Sequence, residues 1–160
     1  MSIANRFFRS AVTFAVLGMA GGIYMGLSED HSQMPAHVHV LLIGWVSMFL
    51  FGAFYRLMPT AAGQAAAIHW WLVNLGVVTM VPGLVLIFSG TPEIGGPLAI
   101  VGSLVVFGST VLFAAIVYGA TGVERGALRN HDGHSTVTRV ASRASAETIG
   151  EVPHPGYYRP

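Results

Sequence analysis

The chain has 160 residues, 53% hydrophobic and only 9% charged, with a mean hydropathy of +0.63. A soluble domain carries roughly 25% charged residues, so this composition excludes a water-exposed globular surface, and the length fits one domain. There is no cysteine, which excludes disulfides, iron–sulfur clusters and thiolate metal sites, and the near-zero net charge carries no nucleic-acid footprint.

Four apolar runs follow one another: residues 7–27, 36–58, 65–88 and 97–120. Each holds about 20 residues, the length a helix needs to cross roughly 30 Å of hydrocarbon. The expected fold is therefore an all-α integral membrane bundle of four transmembrane helices, with backbone polar groups satisfied inside each span. The connections "SEDHSQMP", "PTAAGQ" and "SGTPEIGG" carry Pro, Gly and Ser punctuation. The first run is read as a retained helix rather than a signal peptide, because no clear small-residue cleavage site follows it.

Every basic residue is an arginine. Arg6 and Arg9 precede or open the first run, Arg56 ends the second, and Arg125 and Arg129 follow the fourth. The remaining two connections hold Glu29, Asp30 and Glu93 but no arginine. Positive-inside asymmetry then predicts both termini in the cytoplasm of a bacterial inner membrane protein. From Thr121 to Pro160 the chain turns polar and poor in large aliphatics, which predicts a flexible cytoplasmic tail. Its His131, His134 and His154 are expected to be solvated, with "HDGH" an accident of spacing rather than a metal site.

Histidines in the spans carry the functional signal, because an ionisable group in hydrocarbon is costly. His37 and His39 open the second run at the outer face, and His69 lies about one turn into the third at the inner face. At ~1.5 Å rise per residue the two levels stand roughly 20 Å apart, too far for one metal centre within a subunit. At about 100° per residue, His37 shares a stripe with Leu41, Gly44, Met48, Gly52 and Tyr55, while His39 points along Leu42, Val46 and Leu50. The glycines on the His37 stripe would admit a flat, bulky partner, and Met48 would pack softly against it. His69 is followed by Gly76, Met80 and Gly83 on one face. Gly18, Gly22 and Gly26 of the first run form a close-packing face. Plain helix packing explains the same glycines without a cofactor. Haem ligation, copper ligation through His31, Met34, His37 and His39, and hydrogen bonding to a quinol or to neighbouring helices all remain open.

The stretch "AHVHVLLIGWVSMFLFGAFYRLMP" resembles the second transmembrane helix of haem–copper oxidase subunit I. Together with "LGMAGGIYMG" and "HWWLVNLG" it is similar to the small four-helix proteins labelled cytochrome c oxidase subunit I-like, over residues 5–90. The resemblance implies that His37 ligates the iron of a low-spin haem b, with Gly44, Trp45, Met48 and Gly52 around the macrocycle and His39 and His69 as weaker ligand candidates. Tyr55 and Arg56 would pack or hydrogen-bond near it. The later oxidase helices, with their second haem and copper-ligating histidines, have no counterpart here, so a complete oxygen-reducing site is not expected. The expected role is electron transfer or sensing in a respiratory-type membrane complex. The expected partners are membrane lipid, a second copy in a homodimer or a partner protein of a larger complex, either of which would supply the second axial histidine, and a quinol or cytochrome c. The contrasting expectation is a cofactor-free accessory subunit whose glycine faces dock neighbouring helices.

Overall fold

The computed structural model describes the backbone of residues 1–149 and the side chains of residues 1–120. Residues Met1–Ala120 and Thr121–Pro160 form separate compact units. The side chains of His131 and His134, and His154 altogether, lie outside the described residues, so the expectations placed on them do too.

Helix α1 spans Ile3–Ser28. Ser2 caps it in an extended conformation, its hydroxyl accepting from the Asn5 amide at 3.4 Å, as the orphan amides of a first turn require. It ends at Glu29, the one non-glycine residue with positive φ among those described. Helix α2 spans Met34–Leu57, with Pro35 in its first turn, where the missing N–H costs nothing. A short 3₁₀ turn at Pro59–Ala61 leads to α3, Gln64–Phe88. Helix α4 begins at Pro92, earlier than hydropathy alone suggested, and its backbone is helical to Ile149. Its apolar portion is Pro92–Ala120. All four segments are long and apolar enough to cross a membrane.

The middle of α2 departs from α geometry. Val40–Ser47 is a π-helical stretch, in which each amide bonds five residues back. The Ser47 hydroxyl also donates five residues back, to the Leu42 carbonyl at 2.9 Å. A wider turn holds more residues, and the buried line of α2 accordingly runs through Ala36, Val40, Gly44, Met48, Gly52 and Tyr55. The 100° projection put His37 on that line. In the structure the line passes through Ala36 and Val40, and His37 stands half-buried beside it.

The core lies between α1, α2 and α3 towards the end of the bundle at which α1 begins, hereafter the amino end. It gathers Phe7, Ala11, Met48, Tyr55, Ala66, Val73 and Val77. Glycines set the helix separations. A Cβ at Gly44 would lie 2.7 Å from the Phe14 ring of α1, and one at Gly52 would lie 3.0 Å from the Phe8 ring. The seam between α3 and α4 is closer still. A Cβ at Gly83 would meet the Ala99 amide nitrogen at 2.5 Å, and one at Gly76 would meet Val106 at 2.6 Å. Such backbone approach replaces the hydrophobic drive that is missing between helices in lipid. The remaining faces are apolar and exposed, with Val12, Val16 and Ile23 on α1 and Leu104, Phe107 and Val111 on α4. That outward-apolar pattern suits hydrocarbon as the solvent.

Candidate functional site

Helices α1 and α3 run in the same direction, with α2 returning between them. They touch near the amino end, where the Trp70 indole N–H donates to the Ser10 hydroxyl at 3.2 Å and the Phe7 and His69 rings lie 5.2 Å apart. Towards the far end they separate, leaving a groove of about 410 Å³. That size falls within the roughly 300–1,000 Å³ usual for small-molecule and cofactor sites. Its walls include Leu17, Gly21 and Tyr24 of α1 and Val77, Val81 and Val85 of α3, and His37 of α2 lies along it. Pro82 is also in the wall and lacks the N–H that would close onto the Val78 carbonyl, a break that lets a helix bend away.

The His37 ring is held in a defined state. Its Nδ1 lies 3.0 Å from the Gly18 carbonyl oxygen. A carbonyl can only accept, so Nδ1 carries the proton and, in the neutral ring, Nε2 carries the lone pair. Gly22 makes room for the ring: a Cβ there would stand 2.9 Å from His37 Cε1. The neighbouring Gln33 donates from its side-chain amide to the Ser89 hydroxyl at 3.1 Å, while its Oε1 is buried without a hydrogen-bond partner. Gln33 lines the same groove. The groove is almost wholly apolar, and His37 is the one histidine of its lining, imidazole being the commonest metal ligand.

The other expected site residues are elsewhere. His39 is half-buried and donates from Nδ1 to the Pro35 carbonyl at 2.7 Å, outside the groove lining. Gly44, Met48 and Gly52 face α1 and the core, where Phe14 and Phe8 fill the space above the two glycines. Trp45 is half-buried against the core. None of these four lines the groove. The bulky flat partners of those glycines in this structure are phenylalanine rings.

His69 is fully buried among the rings of Phe7, Phe51 and Phe113, the last stacked on it at 5.1 Å. Its Nδ1 lies 2.9 Å from the Tyr55 hydroxyl, and its Nε2 has no hydrogen-bond partner. The phenol donates: the opposite arrangement would leave both the phenolic hydrogen and the Nε2 lone pair unpaired. Tyr55 therefore belongs to His69, and Arg56 donates to Asn5 Oδ1 at 2.7 Å, so neither reaches the groove. His37 lines the groove, whereas His69 is fully buried and does not line it. Among the described residues no three His, Asp or Glu side chains gather as a metal-binding group. The His31 ring lies against the Glu29 carbonyl, 3.1 Å from Nδ1.

Sequence reasoning missed Gln33 and Pro82. Gln33 sits in a connection that reads as ordinary polar loop, and only the packing of α3 against it buries its oxygen. A proline within an apolar span was the available signal for a missing backbone donor in the groove wall. No protein-family model, curated protein or solved structure matches the chain.

Proposed function

We propose that the chain is a membrane haem b protein in which His37 Nε2 is an axial ligand to iron, serving electron transfer or sensing within a larger respiratory-type membrane complex. The observation that carries this reading is the Nδ1–H bond from His37 to the Gly18 carbonyl, which leaves the lone pair on Nε2 of a ring that lines a groove with apolar walls. Ligating histidines ordinarily give their other ring N–H to such an acceptor, which fixes the tautomer and raises ligand basicity. A haem bound there would supply reversible one-electron chemistry. Gly18 and Gly21 would allow close approach to α1, and the valines of α3 would exclude water. A further histidine to hold the group would come from a second copy of the chain or from a partner protein. Arginine placement supports a bacterial inner membrane topology with the amino end cytoplasmic, which puts His37 towards the outer face.

A second reading is a cofactor-free accessory subunit. The seating of Phe14 on Gly44 and Phe8 on Gly52 favours it, because packing alone accounts for those glycines. A reduced-minus-oxidised absorbance spectrum of the detergent-purified protein, beside His37→Ala, separates the two. A sharp low-spin haem b band, lost in the variant with helical content unchanged, supports the haem reading. A colourless, folded protein in haem-replete cells leaves the accessory subunit.

A further inference from the structure

A second cavity, of about 550 Å³, opens between α1 and α3 at the amino end. Its chemistry is unlike that of the His37 groove. Arg6, Arg9 and Ser10 come from the first turns of α1, and Trp70, Trp71 and Asn74 from the first three turns of α3. The Arg6 guanidinium carbon lies 5.8 Å from the centre of the Trp70 ring, so a cation–π contact holds this charge at the rim of the cavity. Ser10 accepts the Trp70 indole N–H, which leaves its own hydroxyl hydrogen to donate. Asn74 uses one amide hydrogen on the Trp70 carbonyl at 2.7 Å and keeps the other. Neither arginine has a carboxylate partner among the described residues.

We propose that this cavity binds the phosphate of an anionic glycerophospholipid in the leaflet at the amino end. Two uncompensated guanidinium groups, a hydroxyl and an amide form a donor set for phosphate oxygens, and arginine suits that recognition by its forked geometry. Indoles belong at the boundary of headgroup and hydrocarbon, and Trp71 is 64% exposed beside the cavity. From there an acyl chain meets exposed apolar surface at Leu75, the residue after Asn74 in α3. Basic pockets between transmembrane helices are known lodging places for acidic lipid headgroups. Arg56 lies near the same end but is engaged by Asn5 and does not line the cavity, which makes it an internal control. The site is independent of iron at His37.

The test uses the full-length protein in zwitterionic micelles doped with equal phosphatidylglycerol and phosphatidylcholine, with retained lipid counted by native mass spectrometry. The expected result is preferential retention of phosphatidylglycerol. Arg6→Gln and Arg9→Gln should each reduce that preference about five-fold, and Arg56→Gln should preserve it. Equal retention of both lipids overturns the proposal, as does an Arg56→Gln loss as large as that of Arg9→Gln. Displacement of the lipid by millimolar inorganic phosphate also overturns it, assigning the site to free phosphate instead. Arg9 is exposed, so its single variant keeps the test decisive even where an Arg6 variant fails to fold.

Discussion

The imidazole of His37 donates its Nδ1 proton to the backbone carbonyl of Gly18, 3.0 Å away on the preceding helix. This one bond fixes the tautomer, orients the ring beside the groove, and ties the start of α2 to α1. Gly22, one turn along α1 from Gly18, is the space the ring occupies.

Gly22→Ala therefore tests the geometry without touching the ligand atom. The new methyl would stand 2.9 Å from His37 Cε1 and push the ring out of place. Loss of the orienting bond typically costs about 10–100-fold in metal affinity. Under the proposed haem reading, the expected outcome is a folded protein that loses haem at correspondingly lower dilution. Unchanged retention would show that the Gly18 bond does not hold the ligand.

The Tyr55–His69 pair is a stability element. Tyr55→Phe strips the donor from a fully buried imidazole nitrogen and should destabilise the protein by about 1–3 kcal/mol. Tyr55→Phe with His69→Leu removes both polar groups and should recover much of that loss, because no buried nitrogen is left unpaired. Unfolding by denaturant in detergent reads both changes. Neither residue lines the His37 groove, so under the proposed haem reading the absorbance spectrum of Tyr55→Phe should match that of the parent.

The seam between α3 and α4 sets a limit on side-chain volume. Gly83→Ala would drive a methyl to 2.5 Å from the Ala99 backbone nitrogen, which no rotamer change can relieve. An overpacking penalty of about 1–3 kcal/mol is expected. Gly21→Ala and Gly108→Ala meet nothing within 4 Å and should leave the unfolding midpoint nearly unchanged. Equal effects at all three glycines would contradict the seam.

In the α1–α2 connection, the Ser32 backbone N–H donates to Asp30 Oδ1 at 2.9 Å. That bond, with a smaller contribution from the Ser32 side chain, holds the Asp30 carboxyl below its ordinary range. A depressed carboxyl stabilises the folded loop above its unfolded titration point, and the contribution fades as acid takes the pH down through the folded value. The carboxyl carbon resonance of Asp30 should therefore titrate at lower pH than that of an unstructured aspartate. Ser32→Ala should raise the midpoint only partway, since the backbone donor remains. A midpoint at the ordinary value in the parent would remove the loop bond.

Run length and hydropathy made the four spans legible, because a helix in lipid must be apolar along its whole length and satisfy its own backbone. The same rule hid the true start of α4. Proline and glycine in "SGTPEIGG" read as loop, yet Pro92 opens the helix and Gly95 packs against the Gly83 carbonyl. The stripe Gly44, Met48, Gly52 and Tyr55 was also legible, since periodicity reports which face is buried. Periodicity does not report what covers that face. Phe14 and Phe8 lie far away in sequence, and only the pairing of α1 with α2 brings their rings onto those glycines.

By itself the sequence determined four helices long and apolar enough to cross a membrane, a consequence of hydrophobic length and rise per residue. The tertiary structure decided which histidine lies along a groove and which is enclosed in the core. One backbone feature contributes, the π-helical Val40–Ser47. The wider turn shifts the buried line of α2 past His37, while the rings of Phe7, Phe51 and Phe113 close around His69. Tertiary packing also joined Arg6 and Arg9 to Trp70, Trp71 and Asn74 around one cavity. Those residues are distant in the chain, and charge placement alone sets a topology rather than a pocket.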